Sequence, residues 1–169
     1  MKVIKMQRNS TDCLICGMDN PLGLKALFYD LEDGSVASVF TYKSEHQSYP
    51  ERTHGGMITA LLDELMGRTL WVKEPTMYGV TTSITITFRK AVPFGKKLKA
   101  RAVMTHDGSI GFSVKGFLYD MDNNLLAEGN CKFLKMSPEK AFGVDNHSDE
   151  FMRYLPEQDL DEIFFPQEN

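Results

Sequence analysis

The segment His54-Gly55-Gly56-Met57-Ile58-Thr59-Ala60-Leu61-Leu62-Asp63-Glu64-Leu65-Met66-Gly67 places two carboxylates inside a run whose other side chains are mostly apolar or small. An ionised carboxylate withdrawn from water costs several kcal/mol unless it is paired or hydrogen-bonded, so an acid here implies structural pairing or chemistry. At about 100° per residue, Asp63 shares a helical stripe with Gly56, Thr59, Gly67 and Leu70, small or partly polar positions that leave room for a ligand. Glu64 stands one step round the helix and four residues before Arg68, the favourable order for an exposed ion pair. Asp63 is therefore the candidate base. The alternative is a buried carboxylate satisfied by backbone donors.

Gly55 and Gly56 fall where the helix starts. Without side chains they let a substrate approach unpaired N–H groups at the positive end of the helix dipole, which is what a developing oxyanion requires. The pair also serves a tight strand-to-helix turn, and the two roles are compatible. His54 is a candidate acid or base, although a lone histidine before a helix is more often a structural hydrogen-bonding residue. A rise of 1.5 Å per residue separates Gly56 from Asp63 by about 10 Å, whereas a base and an oxyanion donor each act at about 3 Å. If both act in one reaction, the simplest solution is a dimer in which Gly56 of one subunit faces Asp63 of the other.

The elements that must position these groups are legible around them. The chain has 169 residues, 42 % of them apolar, which suits one domain with a substantial core. A net charge of −4 gives no support for nucleic-acid binding. No apolar run is long enough for a signal peptide or a membrane span, so a cytoplasmic location is the default expectation. The segments 24–29 and 36–42 read as short strands separated by Asp33-Gly34-Ser35. A polar loop over 43–53 leads into a helix over 55–73 whose apolar residues occupy most of its circumference and need cover on several sides.

Two-residue alternation supplies that cover. Thr82, Ile84, Ile86 and Phe88 share one face; Ile110, Phe112, Val114 and Leu118 mark another strand, and Leu125, Ala127, Cys131 and Phe133 a further one. Turn residues at Pro93-Phe94-Gly95, Asp107-Gly108 and Asp122-Asn123-Asn124 make the series an antiparallel meander. The expected architecture is α+β, a curved antiparallel sheet wrapped around one long central helix.

Three cysteines do not suggest a disulfide framework. Cys13-Leu14-Ile15-Cys16-Gly17 has the spacing of half a zinc site, but no second pair follows and the histidines are scattered at 46, 54, 106 and 147. The expectation is a buried turn with no metal. The segment 143–169 carries eight acids against one arginine, with Phe151, Tyr154, Leu155, Leu160, Ile163, Phe164 and Phe165 as apolar anchors. It is too apolar for a simple disordered tail, and packs either on its own domain or on a neighbouring subunit.

The pattern His54-Gly55-Gly56, six residues, then Asp63, followed by the strand and turn from Thr81 to Pro93, resembles hotdog-fold acyl-CoA thioesterases of the phenylacetic-acid-pathway branch. Cys13-x-x-Cys16-Gly17-x-x-Asn20-Pro21-x-Gly23-Leu24 is similar to the opening of many members. The likeness spans 13–136, leaving 1–12 as an N-terminal extension and 143–169 as an acidic C-terminal one. It implies a homodimer, or a homotetramer of paired dimers, with sites at the subunit interface and no cofactor. By position, Gly56 N–H would hold the thioester oxygen, and Asp63 would be general base or nucleophile. Thr81 matches a hydroxyl that steadies the attacking water, though β propensity alone also explains a strand threonine. Relatives often carry Asn or Gln six residues before the histidine, where this chain has Ser48 and, one residue earlier, Gln47. Gly55, Gln47, Ser48 and Thr82 are thus candidate substrate contacts. Arg89, Lys90, Lys96, Lys97 and Lys99 cluster near the Pro93 turn, where coenzyme A phosphates would need cations. The implied activity is hydrolysis of acyl-CoA thioesters; the alternatives are an acyl-CoA-binding protein without turnover and a hotdog hydratase or dehydratase.

Overall fold

In the computed structural model, residues 1–143, 152–153 and 160–166 are described. Along the chain they form β1 (Val3–Met6), β2 (Asn9–Ser10), β3 (Leu27–Leu31), β4 (Val36–Thr41), α1 (Gly55–Gly67), β5 (Tyr78–Phe88), β6 (Lys97–Asp107), β7 (Gly111–Asp120), β8 (Leu125–Met136), α2 (Pro138–Phe142) and β9 (Met152–Arg153). Seven strands make one antiparallel sheet in the order β1-β3-β4-β6-β7-β8-β5, and β2 pairs separately with β9.

Alternation does build the β6-β7-β8 meander, but β5 does not lead into it. It crosses to the far edge and pairs with β8 alone. Helix α1 lies against β4 through β8, and Leu61, Leu62, Leu65 and Met66 are fully buried there among Phe28, Leu98, Phe112, Val114 and Leu118. Truncating any of these leucines to alanine would cost about 2–5 kcal/mol. Gly116 and Gly129 face each other across β7 and β8, and a Cβ at either would strike Met66 Cγ at 2.9 Å or Ile86 Cδ1 at 2.5 Å. Gly116 lets the helix sit close to the sheet, and Gly129 makes room for Ile86 of β5.

Several boundaries differ from the expected ones. Helix α1 stops at Gly67 and continues as a 3₁₀ turn over Arg68–Val72. The Thr69 hydroxyl takes the Met66 carbonyl at 2.7 Å, competing with the α-helical ladder. The first predicted strand begins three residues later, at Leu27, although Leu24 is buried as its pattern implies. Ile110 belongs to the turn before β7 and is 74 % exposed. The segment 1–12, read as an extension, supplies the edge strand β1 and the short β2.

The last described segment packs on its own domain. Ile163 is buried with Tyr29, Leu31 and Ala37, and its N–H donates to Met1 O at 2.9 Å. Met152 is also buried. Phe151, Tyr154 and Leu155 lie outside the described residues.

Candidate active site

Asp63 leaves α1 in its third turn and lies half-buried between the helix and β5. Its Oδ1 accepts the Thr81 hydroxyl at 2.7 Å and the Cys131 thiol at 3.8 Å. A β-bulge aligns Thr81: the register with β8 runs Thr81 to Phe133, then Ser83 to Lys132, leaving Thr82 as the extra residue. Thr81, not Thr82, therefore shares the inner face with Ile84 and Ile86. The Thr82 hydroxyl donates to Lys132 O at 3.0 Å, and the exposed Thr82 lines neither cavity within one chain.

Burial holds the Asp63 carboxyl above the ordinary aspartate range; the charge of Glu64 adds to this, and the Thr81 and Cys131 hydrogen bonds pull against it. The Cys131 thiol is pushed up to about 12 by burial first and then by the Asp63 charge. It is a neutral donor to the carboxylate. Asp63 and Thr81 border a cavity of about 460 Å³ whose apolar wall includes Trp71 and Phe133.

The helix N-terminus is elsewhere. Gly55 lines a separate cleft of about 490 Å³ with Ser48, Tyr49, Phe88, Arg89 and Lys90. A Cβ on Gly55 would sit 3.3 Å from the half-exposed Phe88 ring, a tight contact that a small shift of the ring would relieve. Within one chain, Asp63 and Gly55 thus open on different cavities. His54 caps α1: its Nδ1 accepts the Gly56 N–H at 2.9 Å. That gives His54 a structural role and occupies the N–H expected to meet an oxyanion.

Of the other candidates, Gln47 is exposed and forms a β-bridge with Thr53, and Ser48 lines the diglycine cleft. Arg89 and Lys90 reach the same cleft, Arg89 paired with Glu128 at 2.7 Å and Lys90 donating to Asn124 at 3.2 Å. Lys97 is exposed but borders neither cavity. Lys99 is buried, donates to Asn123 at 2.6 Å, and borders neither cavity.

Two features were not legible beforehand. The Glu64–Arg68 pair forms at 2.8 Å, but Arg68 is only 3 % exposed, sandwiched against the Phe28 and Trp71 rings, so the pair is not a surface one. Cys13 and Cys16 line the Asp63 cavity beside Glu64. The Cys13 thiol is lowered to about 6, chiefly by its hydrogen bond with Cys16, whereas the Cys16 thiol is raised.

Residues 52–127 match the family model described as the Thioesterase superfamily. The fold is the hotdog fold of thioesterase-superfamily structures. One such protein superposes with a TM-score of 0.67 at 22 % identity over 73 % of this chain, which spans only 60 % of that protein's length. The PaaI protein of the E. coli phenylacetic acid degradation operon gives a TM-score of 0.57 at 18 % identity, covering 62 % of this chain and 74 % of PaaI. A Streptococcus mutans UA159 protein solved bound to acetyl CoA gives 0.59 at 20 % identity, covering 65 % and 87 % of the respective chains. No curated protein matches significantly. Among the described residues no helix is long and apolar enough to cross a membrane.

Proposed function

We propose that this protein hydrolyses acyl-CoA thioesters to the free acid and coenzyme A, with Asp63 as general base for water or as nucleophile. The observation that carries the reading is Asp63 itself, a half-buried carboxylate of raised pKa, gripped by Thr81 at the wall of an apolar cavity. The similarity of the S. mutans protein, solved with acetyl CoA, supports a coenzyme A thioester as the substrate.

The oxyanion is held by the Gly56 N–H of a facing subunit. Two observations support this arrangement. Asp63 and Gly55, the residue before the proposed donor, border different cavities in one chain, and β5 ends the sheet as an open edge with Val80 37 % and Phe88 52 % exposed. An open edge of that length is a template for pairing with another chain, and a homodimer formed there brings the two half-sites together, with a tetramer of paired dimers as the further assembly. His54 releases the Gly56 N–H when the thioester enters. Arg89 and Lys90, beside the diglycine, receive the coenzyme A phosphates.

Thiol release from a panel of short, medium, long and aromatic acyl-CoAs tests the reading. Asp63→Asn should abolish turnover while retaining binding. Gly56→Pro, which removes the N–H and with it the His54 cap, should do the same, with thermal melting confirming that the variant is folded. Co-expressing the two inactive chains should restore turnover, because a mixed dimer has one intact site. Binding of acyl-CoA without turnover by the wild type would make this a binding protein instead.

A further inference from the structure

We propose that Cys13, Cys16 and Glu64 form a binding site for a thiophilic divalent cation, zinc in particular, with the fourth coordination position open to the cavity that Asp63 borders. The inference does not rest on the thioesterase reading. One ligand atom from each of the three residues lies within 4.8 Å of the others, and Cys13 Sγ is 3.9 Å from Glu64 Oε2. The two cysteines come from one turn and the carboxylate from α1, 51 residues away.

The turn is built as a thiolate cradle. Cys13 Sγ accepts the Ile15 N–H at 3.3 Å and the Cys16 N–H at 3.4 Å, outer-sphere partners that orient a metal-bound sulfur and stabilise its charge. The Gly17 N–H closes the turn on Cys13 O at 2.8 Å, and a Cβ on Gly17 would fall 2.3 Å from that same oxygen. Only glycine fits after Cys16. The Cys16 thiol meets Ser10 Oγ at 3.4 Å.

Glu64 is presented with equal care. Arg68 Nε holds Oε1 at 2.8 Å, which leaves Oε2 for the thiols. Without a metal the Cys13 thiol donates to Glu64 Oε2 at 3.9 Å, and a cation taking the place of that proton would be bound by both groups at once. Two thiolates, one carboxylate and a divalent ion carry one net negative charge, which the buried Arg68 guanidinium cancels. Both thiols release their protons to solvent on binding. Two sulfurs and one oxygen with an open position suit tetrahedral zinc.

The test is the metal content of the full-length chain, purified without chelator, by inductively coupled plasma mass spectrometry, with affinity from competition against a chromophoric chelator. The expected result is about one zinc per chain, lost in Cys13→Ser and Cys16→Ser. Glu64→Gln keeps both thiols and an acceptor for Arg68, so it guards against misfolding of the cysteine variants. Its affinity should fall by more than the roughly 10–100-fold that losing an outer partner costs. Cobalt loaded in place of zinc should show thiolate charge-transfer and tetrahedral ligand-field bands. A wild-type chain that takes up no zinc, or zinc retained equally by all three variants, overturns the proposal. So does a Cys13–Cys16 disulfide that forms equally fast with and without added zinc.

Discussion

Thr81 reaches Asp63 Oδ1 at 2.7 Å because the extra residue Thr82 in β5 turns the Thr81 hydroxyl onto the helix side of the sheet. One bulge thus couples the edge strand to the acid of the central helix. That hydroxyl stabilises the charged carboxylate against the burial that disfavours it. Thr81→Val should therefore raise the Asp63 pKa further. The pH profile of kcat/KM for thioester hydrolysis should shift to higher pH, with a loss at neutral pH of up to about tenfold, the worth of one hydrogen bond to a charged group at a partly wet site. An unshifted profile would mean that Thr81 does not touch the working base.

The same burial has a stability consequence. Asp63 has its pKa raised on folding, so the folded chain binds more protons than the unfolded one between the two values. Stability therefore falls as pH rises through that window, and the penalty is complete above the folded pKa. Asp63→Asn, which keeps an acceptor for Thr81, should be more stable than wild type at pH 8 by on the order of 1 kcal/mol, as functional-site neutralisations often are. The gain should vanish as pH falls below the ordinary aspartate value of about 3.9. Thermal melts of both chains across this range decide it; a variant less stable at pH 8 would show that the carboxylate is a structural ion.

His54 distinguishes a cap from a catalyst. Its Nδ1 holds the Gly56 N–H at 2.9 Å, so His54→Ala should cost about 0.5–2 kcal/mol in stability through the lost cap. The kcat should change less than tenfold, because the oxyanion donor is freed rather than removed. A general acid or base would instead lose about 10²–10⁴-fold. Melting curves and steady-state rates on the same preparation separate the two roles, and a loss of the larger size would favour hydratase-type chemistry.

Lys90 borders the cleft that Gly55 lines; its ammonium donates to the neutral Asn124 at 3.2 Å and lies in the field of Asp120. If it meets a coenzyme A phosphate, Lys90→Ala removes one exposed ionic contact worth at most about 1 kcal/mol, or roughly fivefold in KM. The kcat should stay the same, and so should the KM for an N-acetylcysteamine thioester, which lacks the phosphates. An equal effect on both substrates would place the nucleotide elsewhere.

What could be read beforehand followed physical periodicity. The run from Gly55 to Gly67 declared a buried helix with an anomalous acid, and the alternation at Phe112, Val114, Leu118, Ala127 and Phe133 declared the sheet that covers it. The bulge at Thr82 carries no such signature, since one inserted residue looks like ordinary strand and only the partner's register exposes it. The pairing of β5 with β8 rather than β6 is a choice of topology among strands with similar patterns. Cys13 and Glu64 meet through tertiary packing alone, and spacing within a five-residue motif holds no information about a carboxylate on a distant helix.

The Glu64–Arg68 pair shows the cost of reading a helix as if it stood alone. An exposed pair at this spacing is worth about 0.3–0.5 kcal/mol, and its loss would be hard to detect. Here Arg68 is 3 % exposed and Glu64 28 %, and the guanidinium also donates to Arg8 O at 2.9 Å and lies 4.1 Å over the Phe28 ring. Removing it strands a partly buried carboxylate, empties the space between two aromatic rings and unties the N-terminal segment from α1. Arg68→Ala should therefore destabilise the chain by about 3–5 kcal/mol in urea unfolding. Arg68→Lys should recover little of this, because a single ammonium cannot make the same planar set of contacts. A loss below 1 kcal/mol would mean that Glu64 and the two aromatic rings are held without the guanidinium, and that the pair contributes no more than an exposed one.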